Sequence, residues 1–209
     1  MKSNGYDVMR VKLTFVDEIL GTCSGNTEIH REYIASKAPD AKSREEEIEA
    51  IGVQAEIEKT MTVFPRNKEG EPIFWNYQIK GFMKSACSAL RTIKGTKSKD
   101  LKAYKKHIDL NIFVFADAEH KEKREIVIHT DESIDECQRP LRASTPQGER
   151  VALANSESIA PGAWVEFDIL LMEPADRKLV EEWLDYGLLN GLGQWRNSGK
   201  GAFTWEYAE

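Results

Sequence analysis

The sequence predicts an α+β fold with four strands and two helices in the order βαββαβ and long excursions between them. Three observations carry this. Residues 9–16 alternate apolar and mostly polar side chains; residues 80–91 and 174–189 carry apolar stripes at helical spacing; and strand-like runs follow each helical segment. Alternation is the period of a half-buried strand, whereas recurrence every three to four residues is that of an amphipathic helix. At 209 residues the chain can bury a proper core, so folding requires neither disulfides nor a metal.

Taken in order, Met9, Val11, Leu13 and Phe15 mark the first strand. A glycine-containing turn follows at 21–26, then a short helical segment at 27–38. Ser43-Arg44-Glu45-Glu46 reads as a capping box opening a short acidic helix to about residue 51. Residues 54–63 are ambiguous, and 65–72 are rich in turn formers. In 79–91, Phe82, Met83, Ala86 and Leu90 give an apolar face opposite Lys80, Lys84 and Arg91. Residues 95–102 read as a flexible basic loop and 108–115 as a strand. The polar stretch 117–161 reads as an insertion carrying a hairpin, with strand candidates at 125–129 and 150–154. A strand at 164–172 leads to Pro174, which suits a helix start because its missing N–H is unneeded there. Leu179, Val180, Trp183, Leu184 and Leu188 stripe that helix, and an aromatic-rich strand ends the pattern at 202–207. Without the excursions this is a ferredoxin-like βαββαβ core with an RRM-like antiparallel sheet. It forms one domain over 1–209, with insertions at about 40–78 and 117–161.

Bulk composition narrows the function classes. Cys23, Cys87 and Cys137 are odd in number and form no C-x-x-C pair, which argues against a zinc ribbon or disulfide framework and suits a reducing compartment. Residues 1–10 lack an apolar leader, and no apolar run approaches ~18 residues, so a soluble cytoplasmic protein without membrane contact is expected. The net charge of −6 argues against a generic DNA-coating protein. Its distribution is uneven: from Lys80 to Lys106 there are nine cations and one acid, Asp100. Such a stretch is either a solvated lysine-rich face or the footprint of an anionic partner such as a phosphate backbone.

The most distinctive motif is the loop at 191–201, where Gly191-x-Gly193 and Gly199-x-Gly201 flank five residues between a helix and the last strand. Its remaining residues include Gln194, Trp195, Arg196, Asn197, Ser198 and Lys200, which combine cations, amides and an aromatic. Backbone N–H groups, Arg196 and Lys200 can hold phosphates; Trp195 can stack on a base or anchor the loop in the core. Because these glycines follow a helix rather than a strand, a dinucleotide fingerprint is excluded.

Two G-x-G units at this place in a βαββαβ chain resemble the RAMP superfamily of CRISPR-associated proteins. Gly191, Gly193, Gly199 and Gly201 fill that family's glycine-loop positions. Gln78-Ile79-Lys80-Gly81-Phe82-Met83-Lys84 is similar to the segment opening the first helix of its backbone subunits, with Lys84 in place of an arginine. The turn at 21–25 is a weaker match. The resemblance implies an RNA-binding ferredoxin-like protein in a ribonucleoprotein complex with protein partners and no cofactor. It implies RNA contacts from Lys80, Gly81, Lys84 and Arg91 and from Gly191, Gly193, Trp195, Arg196, Gly199, Lys200 and Gly201.

Two alternatives stay open. His30, Tyr33 and Lys37 share one face of the 27–38 segment and have the chemistry of a base, an acid and a cation for metal-independent RNA cleavage, a set similar to that of RAMP processing endoribonucleases. The acidic total and the run at 45–58 suit instead a stand-alone or virus-encoded relative that interferes with such a complex by mimicry. No metal site is expected: His107, His120 and His129 are scattered, and Asp131, Glu132, Asp135 and Glu136 read as a solvated acidic loop ahead of Mg²⁺ ligands or a cleavage aspartate. Arg139-Pro140-Leu141-Arg142 suits a finger contacting RNA or a neighbouring subunit.

Overall fold

The computed structural model of the chain describes residues 6–24, 61–145 and 148–208. Its strands are β1 (Asp7–Phe15), β2 (Ile19–Leu20), β3 (Cys23–Ser24), β4 (Thr62–Val63), β5 (Ile73–Trp75), β6 (Ile112–Phe115), β7 (Glu125–Val127), β8 (Asp135–Thr145), β9 (Gly148–Ile159), β10 (Trp164–Leu171) and β11 (Phe203–Tyr207). Its α-helices are α1 (Asn76–Leu90), α2 (Tyr104–Asn111) and α3 (Arg177–Asp185).

The chain divides into two compact units. The first takes in Met1–Ile19, Arg66–Ser133 and Ile159–Glu209 and holds the ferredoxin-like core. Its four-stranded sheet runs β11-β1-β10-β6, every pair antiparallel. Numbered by their order in the βαββαβ pattern, those strands lie 4-1-3-2, with α1 after the first and α3 after the third. The alternation read in the sequence is why the sheet has one greasy side. Met9, Val11, Leu13 and Phe15 are fully buried, and their registered partners Ile169, Phe167, Val165 and Phe203 are buried with them. Onto that side pack Ile79, Phe82, Met83, Ala86 and Cys87 of α1 and Val180, Trp183 and Leu184 of α3. The Phe203 ring meets Phe82 edge-on at 5.1 Å and Phe15 at 6.0 Å; such pairs add about 0.5–1.5 kcal/mol each beyond the area they bury.

The other side of the sheet is mixed, with Val8, Leu170, Phe113 and Phe115 beside Arg10, Lys12, Glu166 and Asp168. Arg10 faces Glu166 at 3.7 Å and Asp168 at 3.5 Å across the β1–β10 pair. Asp168, although buried, accepts the Ala118 N–H at 2.7 Å. At the start of β10, Trp164 stacks on His129, with ring centroids 4.0 Å apart, and Lys12 sits 4.9 Å from the Trp164 ring.

The second unit comprises Leu20–Pro65 and Ile134–Ser158. There β9 pairs antiparallel with β8 and parallel with β4, and β3 lies beyond β4. The long β8–β9 hairpin fills most of the stretch expected as an insertion at 117–161, but 117–133 belong to the core unit, as do 66–78 of the stretch expected at 40–78.

Three local expectations are corrected. First, α1 starts at Asn76 rather than near residue 80, because the Trp75 N–H donates to Gln78 Oε1 at 2.7 Å and caps the first turn. Second, the strand expected over 108–115 is helix to Asn111 and strand only from Ile112. The alternation of Ile108 and Leu110 fits a strand, yet Leu110 is 58% exposed and Ile108 is the buried residue of α2. Partners from elsewhere select the helix: Lys84 Nζ lies 2.6 Å from Asp109, and His107 Nε2 lies 2.8 Å from buried Asp176. Third, the basic loop at 95–102 is not loose. It contains a 3₁₀ turn, Lys97–Asp100, whose Ser98 is fully buried.

Candidate nucleic-acid interface

Backbone approach explains two of the four glycines in the 191–201 loop. The Leu192 N–H donates to the Gly201 carbonyl at 2.9 Å, and the Gly201 N–H to the Glu18 carbonyl at 2.8 Å. A Cβ on Gly191 would overlap the Gly201 carbonyl oxygen, and one on Gly201 would overlap that of Leu192. The two G-x-G units therefore clasp each other where the loop enters and leaves. Gly201 also has φ +69°, and Gly193 and Gly199 have φ +87° and +91°, conformations that side-chain-bearing residues rarely hold.

The clasp pushes the five central residues outward. Trp195 has φ +55° and is 38% exposed. Its carbonyl accepts both the Ser198 N–H (3.0 Å) and the Ser198 hydroxyl (3.2 Å), which close the 3₁₀ turn Arg196–Ser198. A non-glycine residue held left-handed costs roughly 1–2 kcal/mol, a strain that clusters at functional sites. The loop borders an open concavity of about 670 Å³, lined by Tyr186, Leu189, Asn190 and residues 193–197 and 199. Arg196 lies on its wall, and its guanidinium makes no ion pair or hydrogen bond with any described residue.

Lys200 has partners within the protein. Its Nζ lies 2.6 Å from Glu18 and 3.0 Å from Asp17 on the turn after β1. The hydrogen bond to Glu18, then that to Asp17, holds its pKa above the ordinary value. Lys200 thus braces the loop against β1.

The α1 residues form a separate group. Lys84 is bound to Asp109, while Lys80 donates to the Asp109 carbonyl (3.2 Å) and sits 5.0 Å from the Phe113 ring centroid. Burial pushes the Lys80 pKa down, with Lys84 adding to the fall and Asp109 opposing it. Gly81 lies on the exposed face with open space where a Cβ would be. Arg91 lies 4.8 Å from the Tyr104 ring. None of these four residues lines the concavity at the glycine loop, so the two groups are not one pocket.

His30, Tyr33 and Lys37 lie outside the described residues. Asp131 and Glu132 belong to the core unit, whereas Asp135 and Glu136 stand on β8 in the second unit. No group of three or more His, Cys, Asp or Glu poised for a metal occurs among the described residues. Arg139, on β8, is buried and donates to Ser156 Oγ at 3.0 Å. No described helix is long and apolar enough to cross a membrane. Sequence reasoning missed Asp17, Glu18, Asp109 and Glu182, the carboxylates that engage the basic segments. Each lies far along the chain from its partner or on an element of unexpected type, so no local pattern marks it.

Among solved structures, the protein is similar to a chain in the cryo-EM structure of the Type III-B Cmr-beta bound to cognate target RNA. The two are 14% identical with a TM-score of 0.52, over all of this chain and 61% of that one. The protein therefore spans about three-fifths of that chain's length. The likeness is one of fold. No protein family and no curated protein matches the sequence.

Proposed function

We propose that this protein is a non-catalytic, RAMP-like RNA-binding domain that works as a subunit or interaction module of a CRISPR-type ribonucleoprotein complex in the cytoplasm. The observation that carries the reading is Arg196: a cation without a partner among the described residues, on the wall of a concavity, beside an exposed and backbone-strained tryptophan. A guanidinium there suits a phosphate, and the Trp195 ring suits a splayed base. Asn190 and Asn197 add amide donors and acceptors to the same wall. The glycine clasp and the Lys200 brace hold that wall in place from behind. The fold, which is also that of a chain in an RNA-bound assembly, supports the same reading.

The test is fluorescence anisotropy with a labelled single-stranded RNA at low salt. The wild type binds, and Arg196→Ala weakens binding about tenfold or more, the loss of one charge-assisted contact of roughly 1.5–3 kcal/mol. A wild type that leaves the RNA free at low salt removes the reading.

A further inference from the structure

The glycine-loop reading leaves the largest block of positive charge unused. Lys94, Lys97, Lys99, Lys102, Lys105 and Lys106 are all exposed, and none forms an ion pair with a described residue. Asp100 is the one acid among them. This is the reverse of Lys80 and Lys84, whose charge is shared with Asp109. The backbone beneath these lysines is tied to its neighbours.

Three devices hold it. The Glu182 carboxylate on α3 accepts hydrogen bonds from the Lys97 N–H (2.6 Å), the Ser98 N–H (3.0 Å) and the Ser98 hydroxyl (2.5 Å). The buried Trp183 indole donates to the same hydroxyl at 2.8 Å. The Thr96 hydroxyl lies 2.8 Å from the Leu90 carbonyl and 3.0 Å from that of Ile93, and the Arg91 guanidinium covers the Tyr104 ring, joining the two ends of the segment. Ordering a lysine-rich loop costs conformational entropy and brings like charges together. A solvated face needs no such fixing. The segment also leaves the far end of α1, whereas the glycine loop joins the turn after β1, beside which α1 begins.

We propose that residues 94–106 form a second phosphate-backbone surface, separate from the glycine loop, and that Glu182 is its positioning residue. The ligand class is a single-stranded polynucleotide held through its phosphates, so this inference rests on the RNA-binding reading above. It assigns the salt-dependent part of the affinity to these lysines and the base contact to the glycine loop.

The experiment measures the salt dependence of single-stranded RNA binding. Each phosphate contact contributes about 0.7 to the slope of log affinity against log salt. The triple variant Lys97→Gln, Lys99→Gln, Lys102→Gln is expected to flatten the slope by about 2, and Arg196→Ala by less than about 1. Glu182→Gln removes a negative charge beside the lysines, so charge alone predicts tighter RNA binding. A positioning role predicts weaker binding, several-fold at low salt, and Ser98→Ala shifts it the same way. A triple variant with the wild-type slope overturns the second surface and leaves the glycine-loop reading intact. Tighter binding by Glu182→Gln and Ser98→Ala overturns the positioning role. A wild type that binds no RNA overturns both readings.

Discussion

Gly201 and Arg196 stand five residues apart and do opposite work. Gly201 has φ +69° and no room for a Cβ against the Leu192 carbonyl, so its role is to let two backbone segments cross. Arg196 is half-buried but its guanidinium makes no ion pair or hydrogen bond with any described residue, so no described partner depends on its charge. Gly201→Ala is expected to destabilise the protein by roughly 1–3 kcal/mol, seen as a drop of several degrees in Tm by circular dichroism. Arg196→Ala leaves the Tm within a degree or so of the wild type, in line with surface substitutions that break no packing. A glycine variant with an unchanged Tm means that the loop does not need its clasp.

Among the elements, the brace between the glycine loop and the turn after β1 responds to pH. Glu18 first, and Asp17 second, raise the Lys200 pKa above its ordinary value of 10.5. A raised pKa in the folded state means that the stabilisation is fully present below the ordinary value. It is lost as pH rises through the higher folded value. The urea midpoint of the wild type should therefore fall more steeply above about pH 10 than that of Lys200→Met. At neutral pH the variant should lose at most about 1 kcal/mol, because the pair is partly exposed. Parallel pH curves for the two proteins would show that the ion pair does not form in solution. Helix α2 runs against its own local pattern. Its alternating Ile108-Asp109-Leu110-Asn111 carries a strand's pattern, yet Lys84, Asp176 and Met172 meet it as a helix.

Across the whole molecule, charge is segregated. Residues 80–106 are strongly basic in a chain whose total is −6. A field of that shape attracts polyanions to one region and repels them elsewhere, within a Debye length of about 10 Å at 0.1 M salt. The protein purified at low salt is expected to carry nucleic acid, read as a raised 260/280 nm absorbance ratio that falls after a high-salt wash. A ratio typical of pure protein at low salt counts against polynucleotide binding.

The βαββαβ order was legible because it rests on local periodicity. Met9, Val11, Leu13 and Phe15 repeat every second residue, and Val180, Trp183 and Leu184 recur at helical spacing, so burial is written into the chain itself. The glycine spacing marked the loop for the same local reason: only glycine tolerates those backbone angles and contacts. Which charges remain available was decided by tertiary structure alone. Lys200 meets Asp17 across 183 residues, and Ser98 meets Glu182 across 84. Such pairs form only after the sheet and helices have brought distant segments together. A lysine in the sequence is therefore a charge whose partner the fold has still to choose. Here, among the described residues, the fold leaves Arg196 and the 94–106 lysines without an ion pair and occupies Lys80, Lys84 and Lys200.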